Sequence, residues 1–168
     1  MPFPTWIYPR ITDLSVTALQ AAGVRGLLLD VDNTLTLHDS QELPDGVAAW
    51  LNEAQAAGLS LIIESNAKAT RVAPFAAPLG LPFVTRAAKP LPFGFWRAAK
   101  ALGLPKKACL VIGDQIFTDM WGAFLGGFPA AQLEPIAPEE GHGFLLFKRR
   151  LERPIRRCQK RRKSYEER

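Results

Sequence analysis

Short apolar runs alternate with amphipathic segments along most of this chain. The apolar runs have the length of strands and stand at 24–30, 59–63 and 109–112, with weaker ones at 81–84 and 130–133. Between them lie segments with helical periodicity, at 13–22, 45–57, 70–79, 93–102 and 118–125. Strands that alternate with helices are typical of β-α-β units. We therefore predict an α/β fold, a three-layer Rossmann-like sandwich around a small parallel sheet.

Polar residues of a few kinds follow the strongest predicted strands. These residues are Asp30, Asp32 and Thr34 after the first strand, Ser65 and Asn66 after the second, Asp114 and Asp119 after the last, and Lys89 in an intervening loop. Ligands of open α/β sheets bind just outside the carboxyl ends of the strands. The sequence thus predicts a ligand site that combines carboxylates, one ammonium group and small hydroxyl or amide groups.

These groups are the ones that phosphoryl transfer requires. Asp30 and Asp32 are two positions apart and share a side of an extended chain, where two carboxylates repel each other unless a cation is present. Carboxylate oxygens suit Mg²⁺, and an ammonium group offsets charge on a transferring phosphoryl group. A carboxylate nucleophile divides hydrolysis into two steps, and a second carboxyl can act as general acid and base.

Each signal is weak when taken alone, because turns are rich in aspartate and an Asp-x-Asp pair arises often by chance. The order of the signals is more informative. The site residues form four groups between Asp30 and Asp119, and each group follows a predicted apolar strand or lies in a connecting loop. This arrangement favours a catalytic site over a chance collection of loop residues.

The same four signals resemble the motifs of the haloacid dehalogenase superfamily. The matching segments are Asp30-Val31-Asp32-Asn33-Thr34-Leu35, Leu61-Ile62-Ile63-Glu64-Ser65-Asn66, Lys89, and Gly113-Asp114-Gln115-Ile116-Phe117-Thr118-Asp119. They span more than half of the chain. Glu64 is a departure, since the family usually has an apolar residue at this position.

The resemblance implies a role for each site residue. Asp30 is implied as nucleophile and metal ligand, and Asp32 as general acid and base that also binds metal through its backbone carbonyl. The other implied roles are metal binding for Asp114, support for Asp119 and Thr34, and phosphate binding for Ser65, Asn66 and Lys89. The implied cofactor is Mg²⁺, and the implied intermediate is an aspartyl phosphate. An acidic residue at position 32 is what the phosphatases of the family carry.

The spacing of the motifs leaves no room for an inserted cap domain. Between Asp32 and Ser65 lie 32 residues, and between Ser65 and Lys89 lie 23. More narrowly, the first and fourth motifs, Ser65-Asn66 with Arg71-Val72, and Ala88-Lys89-Pro90 resemble the capless subclass IIIA, with the YqeG proteins and the mitochondrial phosphatidylglycerophosphate phosphatases. That resemblance makes phosphatidylglycerophosphate the leading substrate and phosphatidylglycerol its product.

Charge is distributed unevenly along the 168 residues. The segment 148–168 carries 11 Lys and Arg against 3 Asp and Glu, a net +8, whereas the rest of the chain carries −3. We predict one domain at 1–147 and a basic tail at 148–168. The tail suggests an anionic partner, either a membrane surface or nucleic acid, although a solvated terminus is an equal alternative. Trp6, Ile7 and Tyr8 could enter a membrane interface or, as is commoner, pack on the domain.

Two other functions remain open at this point. One is a binding module held to RNA or ribosomes by the tail. Because Tyr165 is the only aromatic residue of the tail, base stacking is poorly provided for and nucleic acid is the less favoured partner. The other is a phosphatase of soluble sugars or nucleotides. With neither a signal peptide nor a membrane span in the sequence, we expect a cytoplasmic protein with peripheral contact at the inner face of the membrane.

Overall fold

Six parallel strands form one sheet in the computed structural model, which describes residues 4–137, 151–152 and 154–156. The strands are β1 (Trp6–Tyr8), β2 (Gly26–Leu29), β3 (Ser60–Glu64), β4 (Phe83–Val84), β5 (Cys109–Gly113) and β6 (Ala130–Leu133). Their order across the sheet is β1-β6-β5-β2-β3-β4. β2 is therefore central, with β3 and β5 as its two neighbours.

Five α-helices connect the strands. They are α1 (Val16–Ala21), α2 (Val47–Ala56), α3 (Ala69–Ala76), α4 (Phe93–Ala101) and α5 (Trp121–Gly126). Short 3-10 turns lie at Ile11–Asp13, Ala77–Leu79 and Lys106–Ala108, and a π-helical turn lies at Ile116–Met120. The hydroxyl of Ser15 caps α1 by accepting a hydrogen bond from the backbone N–H of Ala18.

The two faces of the sheet are covered by different helices. Successive residues of a strand point to opposite faces, so Leu27 and Leu29 join one core and Leu28 joins the other. Apolar residues of α1, α2 and α3 pack in the first core, and those of α4 and α5 pack in the second. This arrangement of helices, sheet and helices confirms the predicted three-layer α/β fold.

The strand register brings the polar strand ends together. Leu29 of β2 pairs with Ile63 of β3 on one side and with Ile112 of β5 on the other. The residues that follow these three positions therefore emerge side by side at the carboxyl edge of the sheet. Within residues 4–137, β2 and β3 are joined by a loop and α2 alone, and no cap domain is inserted there.

Two elements differ from the sequence prediction. Trp6–Tyr8 forms an edge strand that pairs in parallel with β6, and its three residues are partly buried against the domain. The predicted helix at 118–125 instead begins as the π-helical turn, and regular α-helix starts only at Trp121.

The predicted domain boundary after residue 147 and most of the basic tail lie outside the described residues. Residues 151–152 and 154–156 are helical, and Arg156 forms an ion pair with Glu152 at 3.3 Å. Among the described residues, every helix is too short or too polar to cross a lipid bilayer.

Candidate active site

A buried ammonium group lies at the centre of the carboxyl edge. Nζ of Lys89 lies 2.6 Å from Oδ1 of Asp30, 2.8 Å from Oδ1 of Asp119 and 3.3 Å from Oε2 of Glu64. It also donates a hydrogen bond to the backbone carbonyl of Glu64 at 3.2 Å. The Lys89 side chain is only 3% exposed, and the three carboxylates around it are buried as well.

These charges do not balance, and the pKa values shift accordingly. Burial disfavours the charged form of Lys89, but the carboxylates of Asp119, Asp30 and Glu64 outweigh burial and raise its pKa well above the ordinary value. Burial is also the main reason why the pKa of Glu64 rises to about 7 and that of Asp119 to about 6. Burial raises the pKa of Asp30 too, with the charge of Asp114 adding to the effect. Lys89 therefore remains charged, and each of the three carboxyl groups takes up a proton more readily than an ordinary one.

Three aspartates at this edge fit a divalent cation. Asp30, Asp114 and Asp119 each offer a carboxylate oxygen, and the three oxygens lie within 4.8 Å of one another. The hydroxyl of Thr34 lies 3.2 Å from Oδ2 of Asp30 and 3.2 Å from Oδ1 of Asp114, so it bridges these two carboxylates. Hard oxygen donors of this kind are the ligand set that Mg²⁺ prefers.

Asp119 can occupy this position only because residue 113 is glycine. A Cβ at Gly113 would lie 2.6 Å from Oδ2 and 2.7 Å from Cβ of Asp119, closer than real Cβ contacts occur. Asp119 accepts two hydrogen bonds. The backbone N–H of Gln115 donates to Oδ2 at 3.1 Å, and Nζ of Lys89 donates to Oδ1. Asp119 is thus a fixed partner of Lys89, as well as one of the three aspartates of the candidate cation site.

The residues after β3 hold the loop that carries Lys89. The side-chain amide of Asn66 accepts a hydrogen bond from the backbone N–H of Lys89 at 2.7 Å and donates one to its carbonyl at 3.2 Å. The hydroxyl of Ser65 accepts from the backbone N–H of Ala67 at 3.1 Å. Asn66 therefore positions Lys89 directly, which the implied role in phosphate binding did not anticipate. The Lys89–Pro90 peptide bond is cis.

Asp32 lies apart from this buried group and is paired with Arg71. Nη2 of Arg71 lies 2.7 Å from Oδ1 of Asp32 and also donates to the carbonyl of Ser40 at 2.9 Å. The same Oδ1 accepts from the backbone N–H of Asp39 at 3.1 Å. About a fifth of the Asp32 side chain is exposed, whereas Asp30 is buried. Asp32 thus lies at the rim of the site.

Arg71 and Glu64 are site residues that the motif spacing did not assign. Arg71 lies in the first turn of α3, six residues after Ser65, and its signal in the sequence is the resemblance of Ser65-Asn66 with Arg71-Val72 to the capless subclass, which implies no role for it. Glu64 departs from the family pattern, and in the structure it is the third carboxylate around Lys89. Among residues 4–137, no hydrogen-bond partner lies near its other oxygen, Oε1, which packs against Gly94.

Known proteins similar to this chain include one family of hydrolases and two phosphatases. The profile of the haloacid dehalogenase-like hydrolases matches residues 6–127. The "Probable phosphatase YqeG" of Bacillus subtilis is 34% identical over 152 residues, which are 90% of this chain and 88% of that protein. The "Phosphatidylglycerophosphate phosphatase 1, chloroplastic" of Chlamydomonas reinhardtii is 26% identical over 161 residues, which are 90% of this chain but only 60% of that protein.

A solved structure agrees with the fold. A family hydrolase from Deinococcus radiodurans, crystallised with bound phosphate and sodium, matches with a TM-score of 0.56 and 18% identity over 76% of this chain and 88% of its own. At this identity the match bears on the fold alone. The family profile covers most of the chain, and the Bacillus relative matches it over nearly the whole length. The chain therefore belongs to the haloacid dehalogenase-like hydrolases, and it is a phosphatase.

Proposed function

We propose that this protein is a Mg²⁺-dependent phosphomonoester hydrolase that acts through an aspartyl phosphate on Asp30. The proposal depends most on the surroundings of Asp30. One of its oxygens is bonded to Lys89, and the other faces the hydroxyl of Thr34 beside Asp114. The carboxylate is thus fixed between a phosphate-binding cation and a candidate metal site, which is the placement that a nucleophile requires.

The first step forms a bond between a carboxylate oxygen of Asp30 and phosphorus and breaks the bond between phosphorus and the ester oxygen. The leaving alcohol takes a proton from the carboxyl of Asp32. Lys89 offsets the charge of the phosphoryl oxygens, and Ser65 helps to orient them. When bound by Asp30, Asp114 and the backbone carbonyl of Asp32, Mg²⁺ supplies further positive charge next to the phosphoryl group.

The second step returns the enzyme to its starting state. Asp32 takes a proton from a water molecule whose oxygen attacks phosphorus, and the acyl phosphate bond to Asp30 breaks to release inorganic phosphate. Asp32 serves both steps from the rim of the site, where leaving alcohol and water have access. In this scheme Arg71 holds the carboxylate of Asp32 in place.

Phosphatidylglycerophosphate is the leading substrate, with phosphatidylglycerol as the product. The support is threefold: the name of the Chlamydomonas relative, the lack of a cap over the described site, and the basic tail, which suits an anionic surface. A capless site leaves room for a headgroup that stays attached to its lipid. We assign catalysis to the domain at 1–147 and surface attraction to the tail at 148–168.

The direct test is phosphate release from phosphatidylglycerophosphate in mixed micelles with Mg²⁺. We expect turnover that is abolished by a chelator and by Asp30→Asn, but not by Glu53→Gln, which changes an exposed carboxylate on α2. Turnover of a soluble phosphate ester alone would keep the phosphatase and exclude the lipid. If nothing turned over and the tail bound RNA, the binding-module hypothesis would replace the lipid phosphatase.

A further inference from the structure

Helices α4 and α5 present a set of exposed apolar side chains on one side of the domain. We name this set the α4–α5 patch, and its members are Leu91, Phe93, Trp96, Phe124 and Leu125. Their exposed fractions range from 39% for Trp96 to 56% for Phe124. Single exposed apolar residues are ordinary, but a contiguous group of them marks a surface that binds something.

Two contacts join members of the patch on α4 to one another and to α5. The rings of Phe93 and Trp96 meet edge to face, with centroids 5.6 Å apart. Nε1 of Trp96 donates a hydrogen bond to the backbone carbonyl of Gly126, the residue after Leu125, at 3.2 Å. Trp96 therefore joins the exposed face of α4 to the end of α5.

The surroundings of the patch are positively charged. From residue 65 to residue 113 the chain has eight Lys and Arg and no Asp or Glu. Four of these cations are exposed on α4 or in the loop after it, namely Arg97, Lys100, Lys106 and Lys107. Nζ of Lys106 lies 4.6 Å from the centre of the Trp96 ring, so cation and aromatic ring form one surface.

The patch begins at the same edge of the sheet as the active site. Leu91 lies two residues after Lys89, and α5 begins two residues after Asp119. The first turn of α4 is close to the site as well, because Gly94 packs against the side chain of Glu64. From there the patch extends along α4 and α5 toward the opposite edge, where Lys106 and Lys107 precede β5, so only its Leu91 and Phe93 end lies near the edge that carries the site.

We propose that the α4–α5 patch docks the enzyme on an anionic lipid surface, with the aromatic and leucine side chains entering the interface and the cations binding headgroups. The inference rests on the proposed function, in which the phosphate to be hydrolysed belongs to a membrane lipid. Tryptophan, phenylalanine and lysine are the residues that peripheral membrane surfaces combine. The cations disfavour two other occupants, a second copy of this face and the chain's own basic tail, since both would place like charges together.

Insertion is tested on the full-length protein with a fluorescent probe. An environment-sensitive dye is attached at Phe93→Cys in a Cys158→Ser background, since the other cysteine, Cys109, is buried. The matched control carries the dye at Glu53→Cys, an exposed position on α2, which packs on the opposite face of the sheet. With vesicles of phosphatidylcholine and phosphatidylglycerol, we expect a blue shift at position 93 and none at position 53.

Binding to the same vesicles is measured by sedimentation, because the basic tail alone can attract anionic lipid. Phe93→Ser combined with Phe124→Ser is expected to lower the vesicle partition coefficient by about tenfold or more and to leave hydrolysis of a soluble phosphate ester unchanged. Both side chains are more than half exposed, so the variant should fold. Asp30→Asn is expected to lose hydrolysis of the soluble ester and to keep vesicle binding. This variant therefore tests the proposed catalytic function independently of the docking surface.

Three results would overturn the docking proposal. The first is binding to vesicles without a spectral shift at position 93, which would mean that the tail alone makes contact. The second is unchanged binding by the double serine variant. The third is a dimer in sedimentation velocity that the double serine variant dissociates, because the patch would then be covered by a second copy.

Discussion

Lys89 and Asp30 form the shortest ion pair described around this site, with 2.6 Å between Nζ and Oδ1. The proposed nucleophile is thus held by the residue that is expected to bind the phosphoryl group. Asp119 and Glu64 share the same ammonium group. Lys89 therefore has a structural task as well as a catalytic one, because it is the cation that keeps three buried carboxylates together.

Replacement of Lys89 should destabilise the protein strongly. In Lys89→Met the three carboxylates lose their counter-charge, and breaking a buried ion pair from one side costs about 3–5 kcal/mol. We expect urea unfolding at neutral pH to show a loss of this size, and the loss should shrink in acid, where the carboxylates can take up protons. Lys100→Met, on the exposed face of α4, is the matched control and should stay close to the wild type. Equal stability of the two variants would contradict the shared ion-pair arrangement.

Glu64→Gln should change how stability depends on pH. The pKa of Glu64 rises from its ordinary 4.5 to about 7, because the side chain is buried. The folded state therefore holds this proton more tightly than the unfolded state does. The stabilisation from this group is complete below about pH 4.5 and is lost as pH rises to about 7.

The measurement compares unfolding free energies of wild type and Glu64→Gln across that window without added metal. Since the glutamine side chain of the variant does not titrate, the variant should gain stability relative to the wild type as pH rises, by at most about 1.4 kcal/mol per pH unit. Glu53→Gln, exposed on α2, is the control and should follow the wild type. Parallel curves for wild type and Glu64→Gln would show that Glu64 does not titrate in this range.

Gly113→Ala should disturb the position of Asp119. The added methyl group would lie 2.6 Å from Oδ2 of Asp119, and overpacking of this kind costs typically about 1–3 kcal/mol. A double-mutant cycle with Asp119→Ala identifies the cause. If the clash is the reason, Gly113→Ala should cost much less in the Asp119→Ala background. An equal cost in both backgrounds would point to the backbone instead.

Arg71→Lys should slow turnover of a soluble phosphate ester. Lysine keeps the charge but cannot reproduce the guanidinium contacts to both Asp32 and Ser40. Misplaced catalytic groups commonly cost about 10–100-fold in rate, and we expect this loss in kcat with little change in KM. Arg25→Lys, an exposed residue before β2 at the opposite edge of the sheet, is the control. An unchanged kcat would show that catalysis does not depend on the contact between Arg71 and Asp32.

Sequence patterns predicted the central strands and the site motifs because both depend on local order. Leu27 to Leu29 and Leu110 to Ile112 are continuous apolar runs, as strands buried on both faces should be. The edge strand Trp6–Tyr8 has no such signal. It is three residues long, and pairing with β6, more than a hundred residues away, defines it.

The site also combines residues that have a local sequence signal with residues whose contacts are distant in the sequence. Asp30, Lys89 and Asp114 could be predicted because each follows a strand or lies in a motif. The contacts of Glu64 and Arg71 could not, because they depend on side chains 25 and 39 residues away, on Lys89 and Asp32. The π-helical turn at Ile116–Met120 was also missed, since its composition is that of an ordinary helix.

In the proposed mechanism, Asp30 carries the phosphoryl group during catalysis. To detect this intermediate, the protein is incubated with Mg²⁺ and a phosphate ester, the reaction is stopped with acid, and the acid-stable phosphate is located by peptide mass spectrometry. We expect an added phosphate on Asp30, absent from Asp30→Asn and from samples treated with a chelator. A phosphate on another residue, or turnover that survives in Asp30→Asn, would contradict the mechanism.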